Sequence, residues 1–195
     1  MPIDLKVHVP NPDIKSIIQL INLHGKNLVG IELGTHRGES FLHLLQCCPN
    51  IKTLHGCDHY EAFTDYITTP YPTGAPAYSV DQQTQDWNEM LCRFYIKHSG
   101  NEHKAILHKK KSMDLINEFE DNYFDFIFID TYLNAEQIRE EIPAWYKKVK
   151  NKGIFAGHDW NFIPLQNYLH QFRKANNITA TMSVYDNTFC WIKNS

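Results

Sequence analysis

Long apolar runs are missing from these 195 residues: no stretch approaches membrane-spanning length, and the N-terminus has no apolar signal core. A membrane span and a secretory leader are therefore not expected, and a cytoplasmic location is. Cysteine is scarce and badly spaced for structural chemistry. Five cysteines, an odd number without a C-x-x-C pair, argue against a disulfide framework or a zinc site and leave reduced thiols as the simpler expectation. Positive charge is not in excess. A net charge of −3 gives no overall pull toward nucleic acid or an anionic membrane, and the one basic run, Lys109-Lys110-Lys111, reads as a solvated loop face. Internal repeats and low-complexity segments are also absent, so the expectation is one domain over residues 1–195, with a sizeable core and little room for a separate substrate domain.

What is present centres on residues 27–40, NLVGIELGTHRGES. An apolar run from Leu28 to Leu33 flows into Gly34-Thr35-His36-Arg37-Gly38, and Phe41, Leu42, Leu44 and Leu45 then follow helical spacing. That is strand, glycine turn, helix. In a parallel sheet the strand end faces a crevice into which the next helix's first N–H groups point, a setting for a polar or anionic ligand. The dinucleotide fingerprint G-x-G-x-x-G is not met: His36 stands where the middle glycine would let backbone close on a pyrophosphate. An ordinary strand-to-helix turn is the plainer alternative for Gly34 and Gly38.

Elsewhere the chain alternates. Residues 1–12 read as an arm, Asp13 as the N-cap of a helix to about Leu23, and residues 1–26 as arm plus helix. Residues 53–58 form a second strand ending on Asp58, about 24 residues past Gly34 and close to the ~20-residue offset at which an acid meets ribose hydroxyls in nucleotide-binding α/β folds. The alternative is a turn aspartate capping its own loop. Residues 59–85 lose periodicity, mixing Tyr60, Phe63, Tyr66, Tyr71 and Tyr78 with three prolines, and read either as an aromatic lid or as a dimer-contact loop. An amphipathic helix over 85–98 is expected to use Trp87, Met90, Leu91, Phe94 and Tyr95. A strand over 105–108, a helix with Ser112 as N-cap, a buried strand over 124–130 ending on Asp130, and a helix over 135–148 follow. A strand over 153–157 running into His158-Asp159-Trp160, a helix over 165–176 and a hairpin of 179–184 with 188–192 complete the chain. The class is α/β with a mostly parallel sheet.

The loop Glu32-Leu33-Gly34-Thr35-His36-Arg37-Gly38-Glu39-Ser40, with Ile129-Asp130, Ala144-Trp145, residues 150–153 (KNKG), Ala156-Gly157-His158-Asp159-Trp160 and Trp191-Ile192-Lys193, resembles class I S-adenosylmethionine-dependent methyltransferases. The likeness is to the small family 24 group, many of whose members O-methylate sugars or other small molecules, and it spans roughly residues 28–193. It implies a Rossmann-like fold: seven strands, mostly parallel, an antiparallel C-terminal hairpin strand and helices on both faces. It also implies a cofactor site at Glu32, Gly34, Thr35, Gly38, Ser40, Asp58, His59, Ser112, Met113 and Asp130. Glu32 would orient the loop or hold the ligand's ammonium. Ser112 and Met113 would lie against the adenine, their alternative being a helix cap and a core methionine. One departure stands out: the family's usual D-H after I-D-G is replaced by Tyr132-Leu133.

Transfer of a methyl group to a hydroxyl needs in-line positioning and removal of a proton, by a base or by a metal that lowers the hydroxyl's pKa. Asp130 and Asp159 are expected to end neighbouring strands and face one crevice, a pair able to hold Mg2+ with substrate oxygens. His158 is the expected proton acceptor, its alternative being a histidine that satisfies backbone groups. His36 and His59 are weaker candidates for a direct role. The expected partner is a small hydroxylated acceptor rather than nucleic acid or membrane. The rival from another class is a non-catalytic S-adenosylmethionine-binding or assembly module, suggested by Tyr132-Leu133. A nicotinamide-dependent reductase is disfavoured by His36.

Overall fold

The structure is a computed structural model that describes residues 14–64, 79–131, 135–185 and 187–194. The N-terminal arm with Asp13, most of the aromatic insertion, and Tyr132 and Leu133 lie outside the described residues. In chain order the strands are β1 (Leu28–Leu33), β2 (Ile51–Asp58), β3 (Phe63–Thr64), β4 (Ser79–Val80), β5 (Ala105–Lys109), β6 (Phe124–Ile129), β7 (Val149–Gly157), β8 (Ser183–Tyr185) and β9 (Thr188–Ile192). The helices are α1 (Lys15–His24), α2 (Glu39–Cys47), α3 (Gln82–His98), α4 (Ser112–Leu115), α5 (Ala135–Lys148) and α6 (Ile163–Ala175).

Seven strands form one sheet in the order β5-β2-β1-β6-β7-β9-β8, parallel from β5 through β7, with β9 antiparallel to β7 and β8 to β9. The fold class expected from the sequence is thus observed. Strand β6 shows why the sheet is covered on both sides: Ile127 and Ile129 enter one apolar layer, Phe126 and Phe128 the other, as period-two alternation requires. Residues of α1, α2 and α3 fill one layer, and residues of α4, α5 and α6 the other. From β1 the chain runs outward to β2 and β5, then returns to lay β6 and β7 on β1's other side. The crevice therefore opens at the C-terminal ends of β1 and β6, where the winding reverses.

Helix α5 continues through Pro143, whose missing N–H leaves the Arg139 carbonyl without its intrahelical donor. The Tyr168 hydroxyl, on α6, donates to that carbonyl at 3.2 Å. Other elements depart from expectation. Helix α3 buries Gln85, Asn88, Cys92 and Ile96, while Trp87, Met90 and Phe94 are 58, 48 and 44% exposed. Polar anchoring sets this face: Gln85 donates to the Glu61 carbonyl at 3.1 Å and Gln82 to the Tyr60 carbonyl at 3.0 Å. Asp81 caps α3 by accepting from the Thr84 N–H at 2.7 Å, so residues 82–85 belong to the helix and not to the insertion, whose ends pair as β3 and β4. Ser112 is not the N-cap of α4; that place is taken by Lys111. The hairpin begins only at Ser183, because Arg173 binds the Ala180 carbonyl and Ile178 N–H bonds to the Arg173 carbonyl, drawing 178–180 onto the end of α6. All five cysteines are free, four of them buried. No helix among the described residues is long and apolar enough to cross a membrane.

His55 on β2 is 6% exposed, stacks on His108 of β5 with Nδ1 to Nε2 at 3.0 Å, and is edged by Phe119, Tyr123 and Phe124. Burial, then the neighbouring His108, pushes His55 down to about 4; burial also lowers His108. A base depressed in the folded state binds protons more readily when unfolded, so stability is full above pH ~6.5 and falls as pH drops toward 4. The expected loss between pH 7.5 and 4.5 is about 2.5 kcal/mol. Urea unfolding at pH 7.5 and 4.5 measures it, and His55→Leu should remove most of the difference.

Candidate functional site

The crevice is built from the loop after β1. Gly34 has φ +88°, and a Cβ there would stand 2.1 Å from the Asp130 carbonyl oxygen, so only glycine lets β1 and the end of β6 approach. The Gly34 N–H donates to the Cys57 carbonyl at 2.7 Å, extending the β1–β2 ladder into the turn. Gly38, also at +88°, lies directly before α2, with Cys92 against its open side. Beneath the loop, Glu32 is fully buried and accepts from the Ser40 hydroxyl. Burial raises its pKa well above the usual carboxylate range, against the Ser40 hydrogen bond and with help from the charges of Asp130, Glu39 and Asp58. Its second oxygen is buried without a hydrogen-bond partner among the described residues.

Asp58 ends β2 and braces the loop. Its two oxygens accept from the His36 N–H at 2.8 Å and the Tyr60 N–H at 3.1 Å. Tyr60 is fully buried, donates its hydroxyl to the His36 carbonyl at 2.8 Å and shares a hydrogen bond with Thr35 at 2.9 Å. The loop-capping role weighed for Asp58 is therefore present. Each carboxylate oxygen keeps a further lone pair, and the side chain lines the crevice, so a ligand hydroxyl has an acceptor there.

On the other side, His158 Nδ1 lies 3.0 Å from Asp159 and 3.4 Å from Asp130. Burial opposes a charged imidazole, but hydrogen bonds to Asp130 and then Asp159, with their charges, outweigh it and raise His158 to about 10. His158 thus carries its proton at neutral pH, where the sequence suggested a free base. Asp159 itself has φ 58°. Asn187, in the β8–β9 turn, holds it there: its side chain donates to Asp159 at 3.2 Å and accepts from the Asn161 N–H at 2.8 Å, while its carbonyl accepts from the Trp160 N–H at 2.9 Å. The donor atoms of Asp130, His158 and Asp159 all lie within 4.8 Å of one another, close enough for one divalent cation.

These parts surround a cavity of about 780 Å3. Gly34, Thr35, Ser40, Asp58, His59, Ser112, Met113, Asp130 and Asp159 line it, as do His36 and Arg37. Three expected site residues stand behind this wall. Glu32 reaches the cavity through Ser40, which favours its loop-orienting role; Gly38 sits at the start of α2; His158 lines a small adjoining void with Thr131 and Glu141. Sequence reasoning missed Tyr60, Asn187 and Glu141. Only Glu141 carried a signal, an acid on the apolar stripe of Ile138, Ile142 and Trp145. The basic run is matched by acids, Lys109 with Glu89, Lys110 with Glu118 and Lys111 with Glu61.

A five-strand parallel core, an antiparallel pair at one edge and a glycine loop over the reversal point define the Rossmann-like fold of class I methyltransferases. The family model for a methyltransferase domain, family 24, matches residues 31–160, and the chain belongs to that family. Among solved structures, the O-methyltransferase TomG from Streptomyces achromogenes, in complex with SAM, superposes with a TM-score of 0.64 at 14% identity, covering 94% of this chain and 80% of that one. The O-methyltransferase NovP gives 0.63 at 16%, covering 93% and 79%. Cofactor-bound Rv0187 from MTB gives 0.62 at 12%, covering 92% and 79%. No curated protein sequence matches the chain significantly.

Proposed function

We propose that the chain binds S-adenosylmethionine in this cavity and transfers its methyl group to a hydroxyl of a small acceptor such as a sugar. One observation carries the reading: the ends of β1, β2 and β6, bearing Gly34, Asp58 and Asp130, line a single cavity. The volume, about 780 Å3, suits a nucleoside cofactor with a small acceptor beside it. When bound, S-adenosylmethionine supplies an electrophilic methyl carbon. Asp58 offers its free lone pairs to ribose hydroxyls, and Glu32 keeps Ser40 and the loop in register. Ser112 and Met113 form the wall assigned to the adenine.

Asp130 and Asp159 hold the acceptor hydroxyl and take up its proton as the bond forms, while His158, bonded to both, fixes their orientation. Two carboxylates also suit Mg2+; Asp130 and Asp159 would hold it, and it would acidify the acceptor hydroxyl. Free thiols fit a cytoplasmic setting. Release of S-adenosylhomocysteine with a panel of sugars, nucleotide sugars and phenols, in EDTA and in Mg2+, tests the proposal. Turnover abolished by His158→Ala supports it.

A second reading, a non-catalytic binding module, is favoured by Tyr132-Leu133 in place of D-H and by an imidazole already held by both acids. Binding of cofactor without turnover across the panel would select it.

A further inference from the structure

We infer that Glu141, on α5, is a positioning residue that ties the adenine wall of the cavity to the wall bearing Asp130; this rests on the S-adenosylmethionine reading above. Glu141 is 1% exposed although its side chain is strongly polar, and such a side chain stays in a core only if its hydrogen-bonding capacity is met. Its donors come from separate parts of the fold. The Ser112 hydroxyl, at the start of α4, donates to one oxygen, which also accepts from Gln137 at 3.0 Å. The Thr131 hydroxyl, directly after Asp130, donates to the other at 2.7 Å. One carboxylate thus joins the segments that follow β5 and β6.

These segments are not joined by the sheet. Strands β5 and β6 are separated by β2 and β1, so no ladder hydrogen bond links their ends. Glu141 spans that gap from the helix above, and it also lines the cavity. Removing it leaves two hydroxyls without their shared acceptor and lets Ser112 and Thr131 turn independently. Binding energy then goes into ordering them.

The test is a double-mutant cycle on S-adenosylhomocysteine affinity, measured by titration calorimetry with Glu141→Ala, Ser112→Ala and the double variant, and with Glu141→Gln as the conservative replacement. If Glu141 acts through Ser112, each alanine variant weakens binding about tenfold, as loss of a buried hydrogen bond does. The double variant is then no weaker than Glu141→Ala alone, whereas independent sites would multiply to roughly a hundredfold. Glu141→Gln, which still accepts from one hydroxyl, recovers at least half of the lost binding free energy. A packing role alone would allow the recovery, since glutamine fills the same volume, but would not give the coupling. Should Glu141→Ala not fold, the same cycle is run with Glu141→Gln and Thr131→Val. Multiplicative losses, or wild-type affinity in Glu141→Ala, overturn the inference while leaving the cofactor reading intact. A wild-type chain that does not bind the probe overturns the cofactor reading and this inference with it.

Discussion

Gly34→Ala is expected to abolish cofactor binding and to destabilise the fold by about 3 kcal/mol or more, combining left-handed backbone strain with an overlap that cannot relax. The new Cβ would lie 2.1 Å from the carbonyl oxygen of Asp130, and what it meets is backbone, not a flexible side chain. Relief requires β1 and the end of β6 to part, which opens the floor of the cavity. Gly100→Ala is the matched control: φ is +74° there, yet none of the described residues has an atom within 4 Å of the added Cβ, so only the strain of roughly 1–2 kcal/mol remains. Thermal unfolding and S-adenosylhomocysteine titration of both variants separate the two contributions. Binding should be at least 100-fold weaker, about 2.7 kcal/mol, in Gly34→Ala and unchanged in Gly100→Ala.

Asp159→Asn is expected to lower kcat by about a thousandfold, within the range seen when a group that moves or holds the reacting proton is lost. Cofactor affinity should change by less than about threefold, under 1 kcal/mol. The substitution suits the backbone: Asp159 has φ 58°, and asparagine is among the few residues that accept this region easily. An amide can still accept from the Asn187 side chain, so the loop has reason to stay. What disappears is a negative charge beside His158 and the acceptor. Steady-state rates with whichever panel member turns over, together with binding data, check this. Full activity in Asp159→Asn would move the proton chemistry elsewhere.

The strands and the residues at their tips were readable from the chain because buried parallel strands are written as apolar runs, and a polar residue ending such a run marks the crevice. Asp58 and Asp130 are legible that way, whereas Glu32 is marked by the E-x-G-x-x-x-G pattern of its loop. Helix α3 departs from its apolar pattern for a related reason. Its apolar stripe faces outward, since Gln82 and Gln85 fasten the opposite face to carbonyl groups of a loop whose position no periodicity records. The residues that hold the site in place were the least legible. Tyr60, Asn187 and Glu141 each have a partner 24 to 29 positions away, and spacing alone does not reveal such pairings. His158 is visible in the sequence next to Asp159, but its protonation depends also on Asp130, which only the fold brings within reach.

Calorimetric titration of S-adenosylhomocysteine into the purified wild-type chain tests the central claim most directly. One site with a Kd between about 1 and 100 µM is the predicted result, an affinity of roughly 5.5–8 kcal/mol. No heat at millimolar ligand would contradict the account.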